Sequence, residues 1–241
     1  MPLPKISTPT YELTLPSSGK KIKYRPFLVR EEKILILALE SQDTKQITNS
    51  IKSILKSCIS TRGIKVDSLP TFDIEYLFLN IRGKSVGEAL DLIVTCPDDE
   101  ETTVPMKIFI DEIQIQKDPN HSNDIKLDGN LTLRMRYPSL DQFIQSNFDF
   151  DAADDAGLSQ SFDIISSCID VVYSEEESWA ASDCTKKELR EWVEQLNTSQ
   201  FKQIEEFFTS MPKLSHTVKV TNPKTKVESD VVLEGLASFF G

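Results

Sequence analysis

Tyr11, Leu13 and Leu15 alternate with polar residues, and Ile22 and Tyr24 alternate again after Pro16-Ser17-Ser18-Gly19. Period two on both sides of a proline- and glycine-bearing turn predicts an opening hairpin over 10–25. Glu31 and Glu32 then precede the apolar run Ile34 to Leu39. So short a run also suits a buried strand, but acids at a positive helix end favour a helix over 29–41. Ile47, Ile51, Ile54, Leu55, Cys58 and Ile59 fall on one face of a 3.6-residue period, which predicts a second helix closed by Gly63. Pro70-Thr71 starts a third, with Ile74, Leu77, Phe78 and Ile81 as its stripe and Gly83 as its C-terminal cap.

From 90 to 137 the period switches to two. Leu92-Ile93-Val94-Thr95-Cys96-Pro97, an acidic tip and Val104-Pro105-Met106 read as a hairpin. Ile108, Ile110 and Ile113 extend the alternation. Asp128-Gly129 in Leu127-Asp128-Gly129-Asn130-Leu131, ahead of Leu133 and Met135, is a tight-turn signal. Lys117 to Asn123 reads as an exposed loop. Beyond Pro138 the period returns to helical: Leu140, Phe143 and Ile144; then Leu158, Phe162, Ile165, Ile169 and Val172. Thr185-Lys186-Lys187-Glu188 is a capping box ahead of Leu189, Trp192, Val193 and Leu196. Phe201, Ile204, Phe207, Phe208 and Met211 follow, stopped by Pro212.

A second hairpin near the end, Val218-Lys219-Val220-Thr221-Asn222-Pro223 returning through Val231-Val232-Leu233, has the turn chemistry of the first. Val-Thr-[Cys/Asn]-Pro at both tips predicts two knuckles of one folded unit. Paired Cys-Pro knuckles hold the metal in zinc ribbons, yet only Cys96 remains here. The fold class expected is therefore α+β: β-hairpins of degenerate zinc-ribbon type, with helices before them and a helical insertion between them. The segments are 1–89 (hairpin arm and helices), 90–137 (first knuckle hairpin and β segment), 138–212 (helical insertion) and 213–241 (second knuckle hairpin and aromatic end).

Composition narrows function more than fold. The 241 residues suffice for a real core in one large or two small domains. A formal charge of −11 argues against nucleic acid or an anionic membrane as a general partner. The start, Met1-Pro2-Leu3-Pro4-Lys5, has no apolar core of signal-peptide length. Cys58, Cys96, Cys168 and Cys184 have no close neighbours in sequence, which fits a reducing compartment.

Candidate chemistry is thin. One thiol with His216 upstream cannot build a tetrahedral zinc cage, since Asp98, Asp99 and Glu100 follow Cys96-Pro97 and Asn222 replaces the other cysteine. Gly83-Lys84-Ser85 lacks the first glycine and preceding strand of a P-loop. Asp149, Asp151, Asp154 and Asp155 miss the EF-hand glycine and glutamate and read as an acidic hinge, and Glu175-Glu176-Glu177 as a hydrated run. Gly157-Leu158-Ser159-Gln160-Ser161 lacks the second glycine of a nucleophile elbow, and only His121 and His216 could serve as histidine bases. No catalytic, cofactor or metal residue is assigned. The tip residues Asp98, Asp99 and Glu100 and the terminal Phe239 and Phe240 stand as candidate partner contacts, the two aromatics having core packing as the rival role.

Three stretches in order carry a resemblance: Arg25-Pro26-Phe27-Leu28-Val29-Arg30-Glu31-Glu32-Lys33; Phe72-Asp73-Ile74-Glu75-Tyr76-Leu77-Phe78 through Arg82 and Lys84-Ser85-Val86-Gly87-Glu88; and Leu233-Glu234-Gly235-Leu236 with Phe239-Phe240. The pattern resembles the baseplate hub subunit family of T-even-like contractile-tailed bacteriophages. That resemblance implies a non-enzymatic tail protein in the virion baseplate, assembled in the host cytoplasm through contacts with other tail proteins, with homo-oligomerisation in the baseplate compatible with it. It also implies cysteine pairs at the knuckles; this chain departs there, so a metal role does not carry over. A transient tail-assembly chaperone and a cell-wall hydrolase are the alternatives.

Overall fold

A computed structural model describes residues 6–145 and 155–239. The chain forms two compact units, Met1–Gln116 with Lys213–Gly241, and Lys117–Pro212.

The first unit opens with β1 (Tyr11–Thr14) and β2 (Lys21–Tyr24), an antiparallel hairpin pairing Leu13 with Ile22. Three helices follow: α1 (Val29–Glu40), α2 (Thr44–Cys58) and α3 (Thr71–Val86). α2 is capped by Asp43, whose carboxylate accepts from Lys45 N and Gln46 N, and Ile51, Ile54, Leu55 and Cys58 are buried as its period requires. Asp73, fully buried in the first turn of α3, accepts the Ser17 backbone N–H at 3.0 Å and the Ser17 hydroxyl, fastening the β1–β2 turn to the helix.

One expectation for this region changes. Gly83 does not end α3. The helix runs three residues further to Val86 and is capped by Gly87, whose φ of 126° suits glycine and whose N–H donates to Gly83 O at 3.1 Å. Gly83 instead permits a close approach: a Cβ there would lie 2.8 Å from Ile110 Cδ1. The apolar run of α1, for its part, is mostly uncovered. Leu35 and Ala38 are buried, while Ile34, Ile36, Leu37 and Leu39 are exposed.

β3 (Ala89–Thr95) and β4 (Thr103–Phe109) form the first knuckle hairpin. β5 (Gln114–Gln116) leaves the unit. The second unit begins with β6 (Asp124–Asp128) and β7 (Leu131–Met135), joined through Gly129-Asn130, so glycine is the first central residue of the turn (φ 52°). α4 (Leu140–Gln145) and α5 (Asp155–Cys168) flank a stretch, 146–154, that lies outside the described residues together with most of the expected acidic hinge.

The expected helical insertion is corrected here. The stripe read through Ile169 and Val172 breaks at Cys168, and those residues instead form β8 (Ile169–Tyr173), followed by β9 (Ser178–Ala180). Ile169, Val171, Val172 and Tyr173 are β-branched or aromatic and pair with β7, completing a sheet of order β6-β7-β8-β9. Period 3.6 and period 2 share enough positions across a junction for the sequence to hide it. α6 (Lys186–Val193) and α7 (Thr198–Ser210) follow as expected, with Thr185 and Glu188 exchanging both bonds of the capping box. Ile204, Phe207 and Phe208 of α7 bury against Leu133, Met135, Ile165 and Cys168, the core of this unit.

The chain re-enters the first unit on β10 (Lys213–Thr221), which pairs with both β5 and β11 (Glu228–Glu234). Gln116 and Lys213, the last and first residues of the two connections, are cross-strand partners. Leu90, Leu92, Val94, Cys96 and Ile108 of the first hairpin share one apolar core with Val218, Val220 and Leu233 of the second.

Candidate functional site: the paired knuckles

Both hairpin tips obey one local rule. Val94 and Val220 sit two residues before Cys96 and Asn222, facing the shared core, while the residues four positions after, Glu100 (φ 55°) and Lys226 (φ 66°), occupy the left-handed region. Glu100 N donates to Cys96 O at 3.0 Å and Lys226 N to Asn222 O at 2.9 Å, so the same turn closes at each tip. Left-handed backbone disfavours side chains bearing a Cβ. Its recurrence at equivalent positions marks a shared backbone design. The return strand starts one residue later in the first hairpin, where Cys96 N bonds Thr102 O, than in the second, where Asn222 N bonds Val227 O.

Cys96 and Asn222 are both buried. Around them the polar groups are mutually satisfied. Asn222 Nδ2 donates to both oxygens of Asp98, at 3.0 and 3.1 Å, and the Thr225 hydroxyl donates to the same carboxylate. Asn222 Oδ1 accepts from Lys224 N at 2.8 Å, shaping its own turn. Asp99 does likewise for the first tip, accepting from the Thr102 hydroxyl at 2.6 Å and Thr102 N at 2.9 Å. Hydrogen bonds from Thr225 and then Asn222 hold the Asp98 carboxyl below its ordinary range. Those from Thr102, side chain and backbone, with Asn222, lower Asp99 further. Burial and the neighbouring Asp98 and Asp99 charges push the Cys96 thiol up, away from the thiolate a metal would need.

C-x₂-C spacing would put ligands at Cys96, Asp99, Asn222 and Thr225. The last three are an oxygen acid, an amide and an alcohol, all engaged in hydrogen bonds. Such a donor set does not fit tetrahedral zinc. Among the described residues no three His, Cys, Asp or Glu side chains gather as a metal-holding group.

The candidate contact residues separate. Asp98 and Asp99 spend their carboxylates inside the knuckle pair, leaving exposed Glu100 to face solvent. Phe239 is 1% exposed within the core of the first unit, the packing role that stood as the rival to partner contact. Phe240 lies outside the described residues.

Sequence reasoning assigned His121 to an exposed loop and gave it no role. In the second unit its ring is half-buried, packed on Tyr137 and Phe207, with Nδ1 2.9 Å from Ser210 Oγ and Nε2 3.0 Å from the Tyr137 hydroxyl. A Ser–His contact invites a nucleophile reading, but Ser210 Oγ also donates to Glu206 O at 2.6 Å, and the direction of its bond with Nδ1 follows the His121 tautomer. Aromatic packing and Tyr137, which also bonds Asn123, make this a structural clasp. No sequence spacing could have announced it, since its members are 89 and 16 residues apart.

Among the described residues no helix is long and apolar enough to cross a membrane. No curated protein and no solved structure matches the chain. A family model described as T4 bacteriophage base plate protein matches residues 8–241, which takes in the first helices, both knuckles and everything between them. The chain belongs to the T4 bacteriophage baseplate protein family.

Proposed function

We propose that this protein is a non-enzymatic component of the hub region of a phage tail baseplate, retained in the virion and acting through contacts with neighbouring tail proteins. The match over residues 8–241 supports a baseplate role, and one structural observation supports a scaffold role within it. Asp98, Asn222 and Thr225 close the two knuckles on each other by hydrogen bonds where a ribbon would use metal. In this reading the hairpins descend from a zinc ribbon and keep its shape with a different clasp. Reactive chemistry has been replaced by a fixed surface, with Glu100 at the acidic tip as a rim contact.

Cross-linking mass spectrometry on intact particles tests the reading. The expected result is this polypeptide in purified virions, cross-linked to other baseplate proteins. Its presence in infected-cell lysate but absence from virions would replace the structural role with that of an assembly chaperone. Turnover of peptidoglycan by the pure chain would replace both with a hydrolase.

A further inference from the structure

Helix α1 carries an apolar face that nothing among the described residues of the first unit covers. Val29, Ile36 and Leu37 are 80%, 49% and 55% exposed, while the opposite side of the helix packs Glu31, Leu35 and Ala38 inward. At 100° per residue Val29, Lys33, Ile36, Leu37 and Glu40 share one outward strip. Single exposed apolar side chains are ordinary; a strip of them on one helix marks a contact.

The charges in the strip say what covers it. Lys33 and Glu40 bracket Ile36 and Leu37 symmetrically, and among the described residues neither has an ion-pair partner. Arg30, the other cation beside the strip, is already held by Glu31 at 2.7 Å. Seven residues separate Lys33 from Glu40, about 10.5 Å along the axis and within about 20° of the same azimuth. A two-fold axis between Ile36 and Leu37 therefore lays each Lys33 against the other copy's Glu40, with Ile36 on Leu37 at the centre. A parallel pairing in register would instead oppose like charges. Two-fold contacts are self-complementary by construction, and this strip meets that requirement from sequence alone.

We infer that the outward face of α1 is the contact of an antiparallel homodimer, Ile36 and Leu37 forming its apolar centre and the Lys33–Glu40 pairs fixing its register. One helix face is a small interface, so association in the micromolar range is expected.

Sedimentation velocity on the full chain, with charge reversals, tests it. Wild type should show a concentration-dependent dimer below about 100 μM. Lys33→Glu alone and Glu40→Lys alone should each weaken it about tenfold or more, because each creates two like-charge oppositions. Mixing the two single variants, or combining both substitutions in one chain, should restore it. Both positions are on the surface, and unchanged circular dichroism melts would confirm that folding is intact. A wild type monomeric at about 100 μM overturns the proposal and leaves the face to a different baseplate protein. Dimerisation indifferent to the single reversals, or not rescued by mixing, overturns the α1 register.

Discussion

The side-chain nitrogen of Asn222 lies 3.0 and 3.1 Å from the two carboxylate oxygens of Asp98, joining hairpin tips 124 residues apart in the chain. Asn222 is fully buried while Asp98 keeps contact with water, so the pair is asymmetric: removing either partner has a different cost. A buried amide that loses its acceptor retains its desolvation penalty, whereas an exposed carboxylate that loses its donor is rehydrated.

Asn222→Ala should accordingly destabilise the protein by about 2–3 kcal/mol, from the lost bonds to Asp98, the lost acceptor for Lys224 N and a small void. Asp98→Ala strands the Asn222 amide and should destabilise less than Asn222→Ala. In urea unfolding the double variant should be less destabilised than the sum, by roughly 1 kcal/mol of coupling. Strict additivity would mean that the two tips are held by their separate turns.

If the knuckles keep ribbon geometry, thiols should recreate its chemistry. The triple substitution Asp99→Cys, Asn222→Cys and Thr225→Cys, with native Cys96, completes a C-x₂-C pair at each tip. We expect one zinc per chain by elemental analysis, and a tetrahedral thiolate spectrum on cobalt substitution. Metal-free, the same variant should be less stable than wild type, because the hydrogen-bond clasp is gone. A folded triple variant without stoichiometric metal would refute the ribbon ancestry.

Legibility followed continuity of pattern. α2 and α7 each present a full apolar stripe between polar caps, and both formed as the sequence implied. The knuckle repeat was readable because Thr-[Cys/Asn]-Pro recurs, but its clasp was not, since pairing of Asp98 with Asn222 and Thr225 depends on how two hairpins stack. Ile169 and Val172 misled because a strand starting directly after a helix can extend the helix's apparent period. Gly83 misled because a helical glycine tolerated for close packing against Ile110 looks like a cap in one dimension. The apolar run of α1 marked a helix but not which of its sides is buried. Burial is a property of neighbours, and only the folded chain shows that, among the described residues, Ile36 and Leu37 have none on their outer side.

Thiol labelling offers an inexpensive check of the fold. Burial pushes Cys58 up to about 11 and Cys168 up to about 12, and Cys96 is raised as well, all three being buried. Cys184 is the one cysteine of intermediate exposure. Under native conditions at pH 8 a thiol reagent should modify Cys184 alone at an early time, with the remainder released only by denaturant. Rapid labelling of Cys96 would mean that the knuckle pair opens readily.

Acid should destabilise the protein in two steps of the same sign and different physical cause. Aromatic packing desolvates His121 and lowers its pKa below the ordinary 6.5, so the unfolded chain binds more protons there than the folded one. Stability contributed by this site is therefore present above pH 6.5 and declines as pH falls from that value toward the depressed folded one. Glu31 is buried, which opposes its ionisation, but hydrogen bonds from Arg25 and Arg30 and from Leu28 N outweigh that and bring it from 4.5 to about 2. Its contribution, about 3 kcal/mol, is complete above pH 4.5 and lost as pH falls to about 2. Urea midpoints measured from pH 8 to pH 2 should fall gently through the first window and steeply through the second. His121→Phe should remove the upper step and leave the lower one; Glu31→Gln should lower stability at pH 7 and flatten the acid limb. A Glu31→Gln profile parallel to wild type would show that the Arg25 and Arg30 bonds do not hold α1 in solution.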